Sequence, residues 1–93
     1  MAILISAKVK KKLHEKHSIT VDEVHEAISG RLAGFLEDIR EEHKSDPPTY
    51  WFIGSTDFGK LLKVVCIFKD ENIIIRTAYR ANRKELDIYN KLA

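Results

Sequence analysis

Residues 50–80, YWFIGSTDFGKLLKVVCIFKDENIIIRTAYR, decide the fold. Three runs within them, Tyr50 to Ile53, Leu61 to Phe68 and Ile73 to Arg80, are rich in aromatic and β-branched residues that favour a pleated surface. Two turn signals separate the runs. Asp57-Phe58-Gly59-Lys60 suits a hairpin because Gly59 is free to take a left-handed conformation, and Asp70-Glu71-Asn72 turns the chain again. The middle run is apolar except for Lys63, which reads as a central strand. The pattern predicts a three-stranded antiparallel meander with Leu61 to Phe68 in the middle.

Helical signals flank the meander. Upstream, Ser6 caps a helix that carries Val9 and Leu13 at i, i+4 spacing and runs to about His17. Thr20 and Glu23 have capping-box spacing, with Val21, Val24, Ala27 and Ile28 as an apolar stripe behind them. That second helix should stop near Gly30, which tolerates positive φ. Only Ser18 and Ile19 separate the two helices, so they meet at a corner. Phe35 to Arg40 fits a strand or a helical turn, and Asp46-Pro47-Pro48 marks a loop. Downstream, Asn82 and Glu85 open a last helix with Leu86, Ile88, Tyr89 and Leu92 available for packing. The expected architecture is one α+β domain over residues 1–93. It has two N-terminal helices, a three- to four-stranded antiparallel sheet and a C-terminal helix.

With 93 residues the chain has room for a single core, and a core this small leaves place for a partner or a homo-oligomer. The lone Cys66 gives no internal disulfide and sits in an apolar run, as a small packed hydrophobe does. The opening Met-Ala-Ile-Leu-Ile-Ser lacks the basic region of a signal peptide. No segment approaches the roughly 20 apolar residues that span a bilayer. A cytoplasmic protein with no membrane partner is expected. There is no glycine-rich nucleotide loop, and no cofactor is expected.

Net charge is only +2, but its distribution is uneven. Lys8, Lys10, Lys11, Lys12 and Lys16 make the first helix basic, and Arg76, Arg80, Arg83 and Lys84 enrich the C-terminal part. Glu37, Asp38, Glu41, Glu42 and Asp46 gather between them. Such segregation can give one positive face, although local clustering on an ordinary surface fits the same counts. Alternation along the third strand puts Ile74, Arg76, Ala78 and Arg80 on one face, and Ile73, Ile75, Thr77 and Tyr79 on the other. Arg76 and Arg80 would then project together, with Arg83 in the next helical turn. Forked guanidiniums suit phosphate, and they suit surface carboxylates equally well. The histidines, His14, His17, His25 and His43, are the side chains that change charge near neutral pH. His14 and His17 stand three apart on a helix, but nothing around them completes a metal-ligand signature, so no metal site is expected.

Several stretches together resemble the BrnT toxin family. They are Lys16-His17 with Glu23 after a short gap, then Ile53-Gly54-x-x-x-x-Gly59-Lys60-Leu61-Leu62-x-Val64-Val65, then Ala78-x-x-Ala81-x-x-x-Glu85-x-x-x-Tyr89. The resemblance runs in order through most of the chain. It implies a RelE-like fold and a ribonuclease of a type II toxin–antitoxin pair, with RNA and a cognate antitoxin as partners. The chain departs from that family in three places. It lacks an early Trp-Asp pair, Ser18 follows His17 in place of Gly, and Tyr79 stands where Arg is expected, with Arg80 one place later. On this reading cleavage needs no metal, because RNA supplies its own 2′-hydroxyl nucleophile. Arg76 and Arg80 bind phosphate, Lys16, His17 and Tyr79 handle protons or charge, and Lys63 and Arg83 widen the nucleic-acid contact. The competing reading is a non-catalytic protein-interaction module on the same scaffold.

Overall fold

A computed structural model describes residues 2–38 and 48–93. The elements run β1 (Ile3–Leu4), α1 (Ala7–His17), α2 (Val21–Ser29), β2 (Leu36–Glu37), β3 (Thr49–Ser55), β4 (Leu61–Lys69), β5 (Asn72–Arg80) and α3 (Arg83–Leu92). They build one five-stranded sheet in the order β1-β5-β4-β3-β2. The meander is present as β3, β4 and β5, antiparallel throughout and with β4 in the centre.

The sheet corrects the expectation at both edges. It is five-stranded and mixed, because β1 pairs with β5 in parallel, Ile3 opposite Ile73 and Leu4 opposite Ile74. At the other edge β2 pairs antiparallel with β3, Leu36 opposite Trp51. Strands of two residues show no periodicity, so neither pattern nor propensity marks them. β2 lies in the ambiguous Phe35 to Arg40 run, of which Ile39 and Arg40 lie outside the described residues, as do Asp46 and Pro47 of the expected loop.

Local chemistry explains the helix limits. The Ser6 hydroxyl accepts from the Val9 N–H, and Thr20 with Glu23 and Asn82 with Glu85 form complete capping boxes. α1 ends where Ser18 turns left-handed at φ 54°. Gly30 instead ends α2 at φ −96°, so positive φ is not its role. Space is: a Cβ there would collide with the Ser55 carbonyl oxygen. The same close approach recurs at Gly54, where a Cβ would collide with the Ala27 carbonyl, so α2 rides directly on β3. Gly59 takes φ +85° in the hairpin turn as expected.

Partners in register share a face of the sheet. Phe52, Val64, Leu62, Cys66, Ile75 and Ala78 form one face and are buried against Leu13, Ile19, Val24, Ala27 and Ile28 of the α1–α2 layer. α3 covers the other face, with the buried Tyr89 ring 5.6 Å from Trp51. The Tyr89 hydroxyl donates to the Gly34 carbonyl at 2.7 Å and accepts from the Ala33 N–H at 3.0 Å, which pins α3 to the β2 approach. Of the apolar residues expected to pack from α3, Ile88 and Leu92 instead remain exposed.

Candidate functional site

β5 does not alternate as its sequence suggests. Ile75 pairs with Cys66 and Thr77 with Val65, so Arg76 is an extra residue in a β-bulge. Past it the faces switch. Ala78 and Arg80 join Ile73 and Ile75 on the α1–α2 side, while Thr77 and Tyr79 take the α3 side with Lys63. Arg76 itself is unpaired in the bulge, while Arg80 stands opposite Leu62. Bulges re-aim single side chains, and here the re-aimed one is a guanidinium.

Arg76 is exposed and joins the first turns of α1. It lines a hollow of about 390 Å³ with Ser6, Lys8, Lys12 and apolar neighbours from α1 and β5, and none of its described lining residues is acidic. Helical spacing extends the row of cations, since Lys8, Lys12 and Lys16 follow each other at i, i+4. At the far end of α1, the half-buried His17 ring lies 5.7 Å from Tyr79. The α1–β5 seam thus carries basic groups along its length and an imidazole beside a phenol at its end.

Tyr79 opens onto a second, tighter cluster centred on Glu85. Its hydroxyl donates to Glu85 Oε2 at 3.1 Å, and Lys63 Nζ donates to the same oxygen at 3.0 Å. Glu85 Oε1 accepts the Asn82 N–H that closes the α3 capping box. Lys63 Nζ also lies 4.6 Å from the centre of the Trp51 ring, within cation–π range. Burial works to raise the Glu85 pKa, but hydrogen bonds from the Asn82 N–H, Lys63 and Tyr79 outweigh it and hold the carboxyl below its ordinary value. Lys63 is only 8% exposed, so its charge is committed to Glu85 and Trp51 and is not presented to solvent.

The remaining expected residues fall apart. Arg80 is exposed at the rim of the α1–α2 face, and Arg83 pairs with Asp87 at 3.2 Å on the surface of α3. Among the described residues no group of three or more His, Cys, Asp or Glu is placed to hold a metal ion, His14 and His17 included. Cys66 is buried, and burial pushes its thiol up to about 12, far from nucleophilic use at neutral pH. Sequence reasoning missed Glu85 as the centre of the cluster, because its capping role already accounted for a Glu at that position. It also left Lys8 and Lys12 as general basic character; their i, i+4 spacing on a capped helix was the signal that marked them as a pair. No protein-family model matches the chain, and a comparison with curated proteins found no match.

Proposed function

We propose that this chain binds RNA along the α1–β5 seam and cleaves it as a toxin-like, metal-independent ribonuclease. The observation that carries the reading is the hollow lined by Lys8, Lys12 and the bulged Arg76, with no acidic side chain among its described lining residues. Three cations around one concavity suit a polyanion better than they suit each other, and a guanidinium is the forked donor that matches a phosphate edge. His17 and Tyr79 stand at the end of the same seam, where an imidazole can move a proton. In the proposed reaction the RNA 2′-hydroxyl loses its proton and attacks the adjacent phosphorus. The 5′-oxygen leaves and takes up a proton, giving a 2′,3′-cyclic phosphate and a 5′-hydroxyl. Arg76, Lys8 and Lys12 would offset the charge that builds on the phosphorane, and Lys16, Arg80 and Arg83 would add sequence-independent attraction. The resemblance to BrnT toxins adds a cognate antitoxin as the inhibiting partner and a cytoplasmic setting. No helix among the described residues is long and apolar enough to cross a membrane.

A second reading, the non-catalytic interaction module, is favoured by one observation: Glu85 engages both Lys63 and Tyr79, two groups expected to assist chemistry or binding. Incubating purified protein with RNA in excess chelator separates the two. Fragments ending in 2′,3′-cyclic phosphate, lost in Arg76→Ala and His17→Ala, support the ribonuclease. Salt-sensitive binding with intact RNA leaves an RNA-binding protein without the cleavage, and no binding at low salt leaves the protein-interaction module as the better account.

A further inference from the structure

α3 presents Lys84, Ile88 and Leu92 at successive i, i+4 positions, a stripe separate from the Glu85 and Tyr89 side that anchors the helix. Ile88 is 39% exposed and Leu92 65%. Together they line a groove of about 520 Å³ that is floored by Trp51, Leu36 and Lys63 of the sheet and also lined by Glu85 of α3 and by Glu37 and Asp38 at β2. Lys84 and Glu37 are both exposed, and neither has an ion-pair partner among the described residues. The groove thus joins an exposed lysine and an apolar stripe on α3 to exposed acidic character at β2, across a mainly apolar floor.

We infer that this groove is the contact surface of a two-fold dimer and that its occupant is the same α3 stripe of a second copy. An isologous contact uses one patch twice, so the patch must be complementary to itself. This one is. A two-fold axis across the groove sets Lys84 of one copy against Glu37 of the other, and repeats the pair. Ile88 and Leu92 of each copy then settle on the Trp51–Leu36 floor of the other. A foreign helix would need a basic flank for Glu37 and an acidic flank for Lys84, whereas a second copy already carries both. The hollow holding Lys8, Lys12 and Arg76 shares no lining residue with the groove, so this dimer and the RNA reading stand or fall separately.

Sedimentation of the full chain over a concentration series tests the inference. The wild-type chain should pass from monomer to dimer, and Leu92→Glu should stay monomeric while keeping its circular dichroism. Glu37→Lys and Lys84→Glu should each weaken the dimer about tenfold or more, since each sets like charges together twice. Mixed in equal amounts, these two variants should dimerise again, because every contact then joins Lys to Glu. That recovery needs no hydrophobic substitution, so it decides the matter even if Leu92→Glu is poorly folded. A wild-type chain that stays monomeric at millimolar concentration overturns the inference. So does a dimer indifferent to both charge variants, or a mixture that associates no better than its parts.

Discussion

Replacing Lys63 by Met should cost this protein far more stability than a surface lysine would. The side chains of Lys63 and Glu85 are 9% and 16% exposed and meet at 3.0 Å, so water screens the pair weakly. Removing one member of a buried pair typically costs about 3–5 kcal/mol, because the remaining charge is left uncompensated. Here Glu85 keeps hydrogen bonds from Tyr79 and the Asn82 N–H, and Met preserves packing against Trp51. The expected loss is therefore smaller, about 2–3 kcal/mol, a large part of the roughly 5–15 kcal/mol that holds a domain together. Glu85→Gln should cost a similar amount, leaving the ammonium unpaired. The double variant Lys63→Met/Glu85→Gln should recover at least about 1 kcal/mol relative to the sum of the singles, since neither charge is then stranded. The pH dependence follows from the lowered Glu85 pKa. Its contribution is complete above the ordinary value of 4.5 and is lost as pH falls from there through the lower folded value. Urea unfolding of the four proteins at pH 7 and at acid pH measures all of this. A Lys63→Met variant within about 0.5 kcal/mol of wild type, or strictly additive singles, would refute the reasoning.

Three further expectations concern separate parts of the molecule. Asp70 and Glu71 form the β4–β5 turn at φ 52° and 64°, so Glu71→Gly should relieve left-handed strain and stabilise the protein by about 1 kcal/mol, read as a rise of roughly 4–8 °C in Tm. Buried Cys66, with its thiol pushed up to about 12, should react with iodoacetamide only as fast as the chain opens; prompt labelling in native buffer would contradict its placement. In fluorescence anisotropy with a short single-stranded RNA, affinity should fall steeply with salt. Arg76→Ala should reduce that salt slope by about one unit, leaving preference among RNA sequences unchanged.

Where several residues repeat a signal, the sequence was legible. Three β-rich runs and two turns produced the meander, and three side-chain caps placed the helix starts. What escaped depends on contacts distant in sequence. β1 exists because Ile3 and Leu4 find the β5 edge some seventy residues later, where Asn72 Oδ1 also accepts the Ala2 N–H at 3.2 Å. The bulge at Arg76 left no mark in residue types, yet it reversed the faces of everything after it. The ribonuclease reading expects Lys63 at a nucleic-acid contact, but the folded chain buries it against Glu85. Its partner Glu85 lies on another element, and only folding joins them. The candidate site was therefore half legible. Its residues could be named, but their grouping into a cationic seam and a Glu85 cluster could not.

The central claim meets its most direct test in a comparison of one RNA oligonucleotide with its fully 2′-O-methylated counterpart. Both are incubated with excess protein in the presence of chelator. The account predicts that both bind with similar affinity and equal salt dependence, because the phosphates are the same. Only the unmodified strand should be cut, leaving a 2′,3′-cyclic phosphate, because only it carries the nucleophile. Cleavage of the methylated strand, or an intact unmodified strand under saturating protein, would contradict the claim.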